Sequence, residues 1–280
     1  MKPGFNPELD IAHYTCLRTR SPITVDGKLD EEAWSKALKS PRFIDVIGGT
    51  PGTYDTRSSL LWDDKCLYIA FWSEEPFVEA HIVKRDSLIC DENDVEVFID
   101  GGDAYYEFQI NALNTIYEVF YIWKDAYKKG ARFDVPEFDV IDNDAWVFSG
   151  NPGEHHNIDC FWKGTHPRGN RWSFFNWDFP GLKTAVHING NLNDSSVVDK
   201  GWTVELAFPW EGMKWLASGR SLPPKQGDMW RLFLCRYQKF YMNGTKIHTG
   251  WAWNKVGTSD NHFPERFTNI HFSESYVEDS

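Results

Sequence analysis

Three polar side chains with strand-like spacing lie in the stretch DENDVEVFIDGGDAYYEFQIN, residues 91–111. Glu96, Gln109 and Asn111 occur in two runs that are otherwise rich in Val, Phe, Ile and Tyr. Because successive side chains of a strand point to opposite faces, Glu96 shares a face with Asp94, and Gln109 shares one with Asn111. A carboxylate and two amides at this spacing can exchange hydrogen bonds with a ligand that carries many hydroxyl groups.

The residues between the two runs, GGDA, have the composition of a hairpin loop. Closure of this loop by Asp100 and Tyr105 as a directly opposed pair fixes the register of both strands. That register predicts the opposed pairs Phe98–Glu107, Glu96–Gln109 and Asp94–Asn111. The polar side chains then form one compact cluster, and the alternative is a polar sheet face that meets only solvent.

The remaining periodicity predicts an all-β protein. SSLLWDDKCLYIAFWSEEP reads as a hairpin, and further strand patterns of four to nine residues continue to the C-terminus. The helix candidates are short, and one of them carries Trp34. We therefore predict a single antiparallel, jelly-roll-like β-sandwich over residues 22–280, after an extended lead-in over residues 1–21.

Residues from about 124 to 180 lose this alternation. The segment is rich in Gly, Pro, Asn and Asp but holds many aromatic residues, so we predict an ordered insertion packed over one end of the sandwich. Its tryptophans are Trp146, Trp162, Trp172 and Trp177. Its His155, His156, Asp159 and His166 are either surface loop residues or a metal site.

Composition argues against several classes of partner. The net charge of −12 repels phosphate backbones, which excludes nucleic acid. No stretch approaches 18 consecutive apolar residues, so no membrane span is expected. The five cysteines are scattered without a C-x-x-C pair, and no signal peptide precedes them. The chain as written is therefore expected in the cytoplasm, or in the periplasm or outside the cell if its N-terminus was trimmed.

Six motifs in one order resemble carbohydrate-binding module family 9 and its relatives. They are ITVDGKLDEEAW, LLWDDKCLYIAFWSEEP, ENDVEVFID, YEFQINALNTIYE, GWTVELAFPW and GDMWRLFLCRYQ. The resemblance runs from about residue 22 to 273, apart from the insertion. It implies a β-sandwich that binds a mono- or oligosaccharide, typically at a chain end, on a polar patch beside Trp rings.

The resemblance also implies roles for single residues. The carboxylate of its D-x-V-E-x-F motif falls on Glu96. Its F-x-x-N motif falls on Asn111 and on Gln109, where better-known members have Arg. A stacking Trp near the last strands falls on Trp253, in the sequence WAWN.

Two positions depart from the family pattern or extend it. Cys90 occupies the place of a second stacking Trp, so Tyr121, Trp123 or a Trp of the insertion is expected to supply the missing ring. The family also includes proteins with structural calcium. Glu75 lies where a ligand carboxylate often does, although a full set of oxygen ligands is not evident.

Two other functions remain open from the sequence. A glycoside hydrolase or lyase would use a pair of acids, such as Glu96 with Asp94 or Glu107, in a pocket enclosed by the insertion. A sandwich that has lost its sugar site would instead bind a partner protein or a second copy of itself.

Overall fold

The computed structural model describes residues 11–149, 160–163 and 166–280. Within these residues the chain forms fifteen strands and one short α-helix, α1, at Glu32–Lys36. The strands are β1 His13–Arg18, β2 Ile44–Asp45, β3 Thr56–Trp62, β4 Cys66–Ser73, β5 Asp94–Asp100, β6 Ala104–Asn111, β7 Ile116–Trp123, β8 Trp146–Ser149, β9 Cys160–Lys163, β10 Arg171–Phe174, β11 Lys183–Asn189, β12 Gly201–Pro209, β13 Met229–Met242, β14 Thr245–Ala252 and β15 Thr268–Tyr276. In the described part of the chain, no helix is long and apolar enough to cross a membrane.

The strands form one continuous sheet that folds over on itself. Its order is β11-β12-β4-β3-β1-β15-β13-β5-β6-β7-β10-β8-β9, and β14 pairs with β13 and β2. Leu60 and Phe71 from one half belong to the same buried cluster as Val97 and Phe108 from the other. This common core makes the fold a β-sandwich, which confirms the predicted all-β class.

The pairing is mixed rather than purely antiparallel. Strand β1 runs parallel to both β15 and β3, and β8 runs parallel to β9. Hairpin connections force antiparallel pairing, but β1 is separated from β3 and β15 by other elements, so no hairpin joins it to either strand. Residues 13–18, placed by the sequence in the lead-in, therefore enter the sheet as β1.

The predicted insertion contributes to the sheet. Its strand β10 pairs with β7 and with β8, so residues 146–149 and 171–174 extend the edge beside β7. The adjoining chain packs aromatic rings on the sandwich core, among them Phe138 and Trp177. The described part of the insertion is thus continuous with the sheet.

Two further apolar layers cover the outer sides of the sandwich. On one half, α1 packs Trp34 against Ala70 of β4. On the other half, the outward side chains of β5, β6, β7 and β13 form a second buried layer, which includes Phe98, Tyr121 and Phe233. We call this outward side the Glu96 face, because it carries Glu96.

Candidate functional site

The hairpin between β5 and β6 has the register that the sequence predicts. Glu96 pairs with Gln109, Asp94 pairs with Asn111, and Asp100 pairs with Tyr105. The alternation of polar and apolar residues, together with the short GGDA loop, is sufficient to set this register. Strands β5 and β6 therefore bring the predicted polar cluster together on the Glu96 face.

This cluster is buried rather than open. Glu96 is 3% exposed and Gln109 is 4% exposed. The cluster therefore neither meets solvent nor lies open to a ligand, the two alternatives that the sequence offers. The segment between β14 and β15 covers it, because Nδ2 of Asn261 donates a hydrogen bond to Glu96 at 3.4 Å. Sγ of Cys235 donates to the same carboxylate oxygen at 3.0 Å.

Asn111 fills a structural role in the turn that follows β6. Its Nδ2 donates to the carbonyl of Ile82 and to Glu92, and its Oδ1 accepts from the backbone N–H groups of Leu113 and Thr115. An asparagine amide makes four hydrogen bonds at most. The protein itself uses all four, so Asn111 holds the β6–β7 turn and is not placed to bind a ligand.

Three carboxyl groups lie close together on the Glu96 face. Burial raises the pKa of both Asp94 and Glu96, and repulsion between the two carboxylates and from Glu107 raises that of Glu96 further. Burial also raises the pKa of Glu107, from 4.5 to about 7, against the hydrogen bonds from Tyr121 and Gln109. The fold therefore favours neutral, protonated acids in this layer.

Oδ2 of Asp94, Oε1 of Gln109 and Oδ1 of Asn261 are buried acceptor oxygens in this layer that have no hydrogen-bond partner among the described residues. A neutral carboxyl supplies an O–H donor that an ionised one lacks. The unpartnered acceptors are thus consistent with the raised pKa values of the neighbouring acids.

Trp253 lies on the other side of the sheet from Glu96. It directly follows β14, whose last residue, Ala252, pairs with Cys235 on the Glu96 face. The Trp253 ring packs in the sandwich core, edge to face with Tyr14 at 5.0 Å between centroids, and is 5% exposed. The structure does not bring Trp253 to the predicted polar cluster.

Trp123 lies on the Glu96 face but its ring is covered. The guanidinium groups of Arg171 and Arg168 lie 4.4 and 5.1 Å from its centroid, and the His166 ring lies at 4.6 Å. His166 itself bonds to Glu265 at 2.8 Å. The rings of Trp123 and His166 are therefore parts of a packed layer. His155, His156 and Asp159 lie outside the described residues.

Glu75 belongs to a buried ion-pair network. Its carboxylate accepts hydrogen bonds from Asn93, Gln238, Trp202 and Arg236, the last at 3.0 Å. These four donors use the lone pairs that a metal would need. Among the described residues, no group of three or more His, Cys, Asp and Glu is arranged to hold a metal ion. The structural calcium stays a prediction, and Glu75 is not positioned to bind it.

An open cleft lies at the β7 end of the Glu96 face. Its volume is about 500 Å³, and it is lined by Asp86, Leu88, Tyr117, Asp144, Trp146, Phe175, Asn176 and Asp178. We call it the Trp146 cleft. Tyr117 pairs with Gln109 across β6 and β7, so the cleft begins one strand away from the predicted cluster.

Aromatic rings make up the apolar part of the Trp146 cleft. Tyr117 is buried beneath it, with its ring centroid 6.1 Å from that of Phe175. Trp146 lies 6.3 Å from Phe175 and is 47% exposed. Strands β7 and β8 hold Tyr117 and Trp146, and Phe175 directly follows β10, which lies between these two strands. The rings offer a preformed apolar surface.

Carboxylates make up the polar part. Arg85 bonds to Asp178 at 2.7 Å and also to Glu118, which fixes one side of the cleft. The pKa of Asp86 is raised overall. Burial and repulsion from Asp178 raise it more than the Arg85 guanidinium lowers it. Asp144 also lines the cleft, in a turn with a positive φ of 47°. Acceptor oxygens therefore border the rings.

Solved structures provide the comparison. A family 9 carbohydrate-binding module from Caldicellulosiruptor kristjanssonii, in complex with cellotriose, superimposes with a TM-score of 0.50 over 93% of this chain and 94% of its own, at 12% identity. The chain has the fold of the family 9 carbohydrate-binding modules. A candidate carbohydrate-binding protein from Bacteroides uniformis has the same fold, with a TM-score of 0.55, 11% identity, and coverage of 94% of this chain and all of its own. No family model and no curated protein matches the sequence.

The sequence predicts some residues of the Trp146 cleft but not others. Trp146 is one of the insertion tryptophans that the sequence offers in place of the ring missing at Cys90. Asp86, Asp144 and Phe175 give no comparable signal, because they lie in turns and loops whose path alternation does not predict.

Proposed function

We propose that this protein binds a neutral mono- or oligosaccharide in the Trp146 cleft. The observation that carries the proposal is the exposed Trp146 ring, which borders a cleft with Tyr117 and Phe175 and with three aspartates. The fold adds support, since a module of the same fold is described in complex with cellotriose.

The chemistry of the cleft suits a pyranose. Aromatic rings bury the C–H face of a sugar, at about 25 cal/mol per Å² of apolar surface removed from water. Carboxylates accept hydrogen bonds from neighbouring hydroxyl groups, and such charge-assisted bonds are about twice as strong as neutral ones. Asp86 and Asp144 border the cleft and would orient the sugar. Tyr117 and Trp146 are held by strands, which limits the entropy lost on binding.

The residues expected from the sequence take supporting positions in this proposal. Gln109 pairs with Tyr117 and donates a hydrogen bond to Glu107 at 2.9 Å. Glu96 and Glu107 are close enough to raise the pKa of Tyr117, although burial has the larger effect. Gln109 thus lies one strand behind the cleft, directly opposite Tyr117, and Glu96 lies one strand further away. Asn111, Trp123 and Trp253 lie in covered positions away from it.

Calorimetric titration with glucose and a panel of neutral oligosaccharides, cellotriose included, tests the proposal. Trp146→Ala is expected to weaken binding about 10- to 100-fold, because it removes about 1.5–3 kcal/mol of apolar burial. Trp172→Ala is the matched control. Trp172 lies on β10 beside the same cleft, but its ring packs on the core side of the sheet. Its removal should leave the affinity unchanged.

Three other results would contradict the proposal. Equal affinity of the wild type and Trp146→Ala would place any sugar site elsewhere. Release of shorter saccharides from labelled oligosaccharides, abolished by Asp86→Asn, would instead indicate a glycoside hydrolase or lyase. Absence of both binding and turnover, with a molecular mass that rises with concentration, would favour a partner-binding sandwich.

A further inference from the structure

A second cleft lies on the outer side of the other half of the sandwich. Four side chains form a row across adjacent strands: Arg57 of β3 opposes Trp72 of β4, Trp72 opposes Thr203 of β12, and Thr203 opposes His187 of β11. Directly opposed residues of neighbouring strands lie about 5 Å apart. The row is the base of a cleft of about 560 Å³, which we call the Trp72 cleft.

The charge of the Trp72 cleft is opposite to that of the whole chain. Its lining carries the cations Lys28, Lys39, Arg57 and Lys200, and the acids Asp55 and Glu74. Four positive and two negative side chains leave a surplus of positive charge, whereas the chain as a whole carries −12. A cleft with this surplus concentrates anions near its surface.

Not all of these cations are engaged by carboxylates. Arg57 pairs with Asp55, and Lys28 pairs with Asp26. Lys39 and Lys200 form no ion pair within 4 Å with any part of the chain that the structure describes. The Lys39 ammonium lies 3.7 Å from the centroid of the Trp72 ring. Burial lowers the pKa of Lys39, as does the positive charge of Arg57, and an incoming anion would offset both effects.

The Trp72 cleft also has surfaces suited to a sugar ring. Trp72 is half-buried, and Trp34 packs edge to face against it at 6.3 Å, which holds it in place. Thr203 and Asn189 add polar groups at the border. A simple inorganic anion would need only the cations, whereas an acidic sugar would use the cations, the indole and the polar border together.

We propose that the Trp72 cleft binds an acidic saccharide, whose carboxylate or sulfate group contacts Lys39 and Lys200 and whose ring packs against Trp72. The Trp72 cleft and the Trp146 cleft then separate ligands by charge. The described lining of the Trp146 cleft carries three aspartates, of which Asp86 and Asp178 pair with Arg85, so the cleft keeps a negative surplus that disfavours such a ligand. The proposal uses the opposite half of the sandwich and does not depend on saccharide binding at Trp146.

Calorimetric titrations with three probes test this second site: trigalacturonate, a sulfated disaccharide and the neutral cellotriose. The wild type should bind at least one acidic probe, and more weakly at about 150 mM salt than at about 20 mM, since salt screens exposed charges. The double variant Lys39→Gln, Lys200→Gln should lose about tenfold or more in affinity for that probe, because two charge-assisted contacts are removed. Trp72→Phe should weaken the binding of that acidic probe while its salt dependence is kept.

The matched control is Lys128→Gln, Lys129→Gln, which removes the same charge from exposed lysines of the insertion. Its affinity should equal that of the wild type. A preference for trigalacturonate or for the sulfated probe identifies the anionic group and supports the site in either case. Three outcomes overturn it: no acidic probe binds at millimolar concentration, the Lys39 and Lys200 double variant binds as tightly as its control, or cellotriose competes for the same cleft with equal affinity.

Discussion

Replacement of Trp253 by alanine is expected to lower the free energy of unfolding by about 3–5 kcal/mol, the usual cost of truncating a buried Trp or Phe. The Trp253 ring packs in the core between the two halves of the sandwich and meets Tyr14 edge to face. Its backbone N–H also continues the pairing with β13 by donating to the Leu234 carbonyl at 3.1 Å. The truncation leaves a cavity that neighbouring strands cannot fill. Urea denaturation monitored by circular dichroism measures the loss.

Two comparisons separate this structural role from a role in sugar stacking. Trp146→Ala removes the same side chain from an exposed position and should cost less than about 1 kcal/mol in stability. Trp253→Phe keeps most of the apolar volume and should bind saccharide with the affinity of the wild type. If Trp253→Phe folds normally but loses binding while Trp146→Ala retains it, Trp253 is the stacking residue that the family resemblance implies, and the Trp146 cleft is not the site.

The β5–β6 hairpin shows how much of the fold local rules determine. Its four predicted pairs all form, from Asp100–Tyr105 to Asp94–Asn111, because alternation fixes the faces and a four-residue loop fixes the register. Local rules also predict the hairpin of β3 and β4. Its turn is held by Asp63, whose side chain accepts hydrogen bonds from the N–H groups of Lys65 and Cys66. Both hairpins depend on contacts that are close in sequence.

The accessibility of the predicted site could not be derived in this way. Alternation assigns Glu96 to a face but does not show that Asn261, 165 residues later in the chain, covers that face. Alternation also stops at the end of a strand. Because β14 ends at Ala252, the side of the sheet that the Trp253 ring contacts depends on the segment that follows. The strands β8 and β10 are only four residues long, too short for their periodicity to predict them.

The burial of Glu107 has a consequence for stability that can be measured directly. The pKa of this carboxyl is about 7 in the folded protein, above its ordinary value of 4.5, because burial disfavours its charge and Asp260 repels it. The hydrogen bonds from Tyr121 and Gln109 and the charge of Arg171 reduce the shift but do not cancel it. The folded state therefore holds a proton on Glu107 at pH values where the unfolded chain has released it.

Linkage converts this difference into a pH dependence of known sign. Protonation of Glu107 makes its full contribution to the free energy of unfolding below about pH 4.5. This contribution, about 3 kcal/mol in total, is lost as the pH rises through about 7. Glu107→Gln mimics the protonated acid, and Gln109 can turn its unpartnered Oε1 toward the new amide. Urea denaturation at pH 5, 6, 7 and 8 should therefore show a smaller loss of stability in Glu107→Gln than in the wild type. Glu211→Gln removes an exposed carboxyl, and its free energy of unfolding should change with pH as that of the wild type does. If the free energies of unfolding of all three proteins change with pH in parallel, Glu107 is ionised in the folded protein.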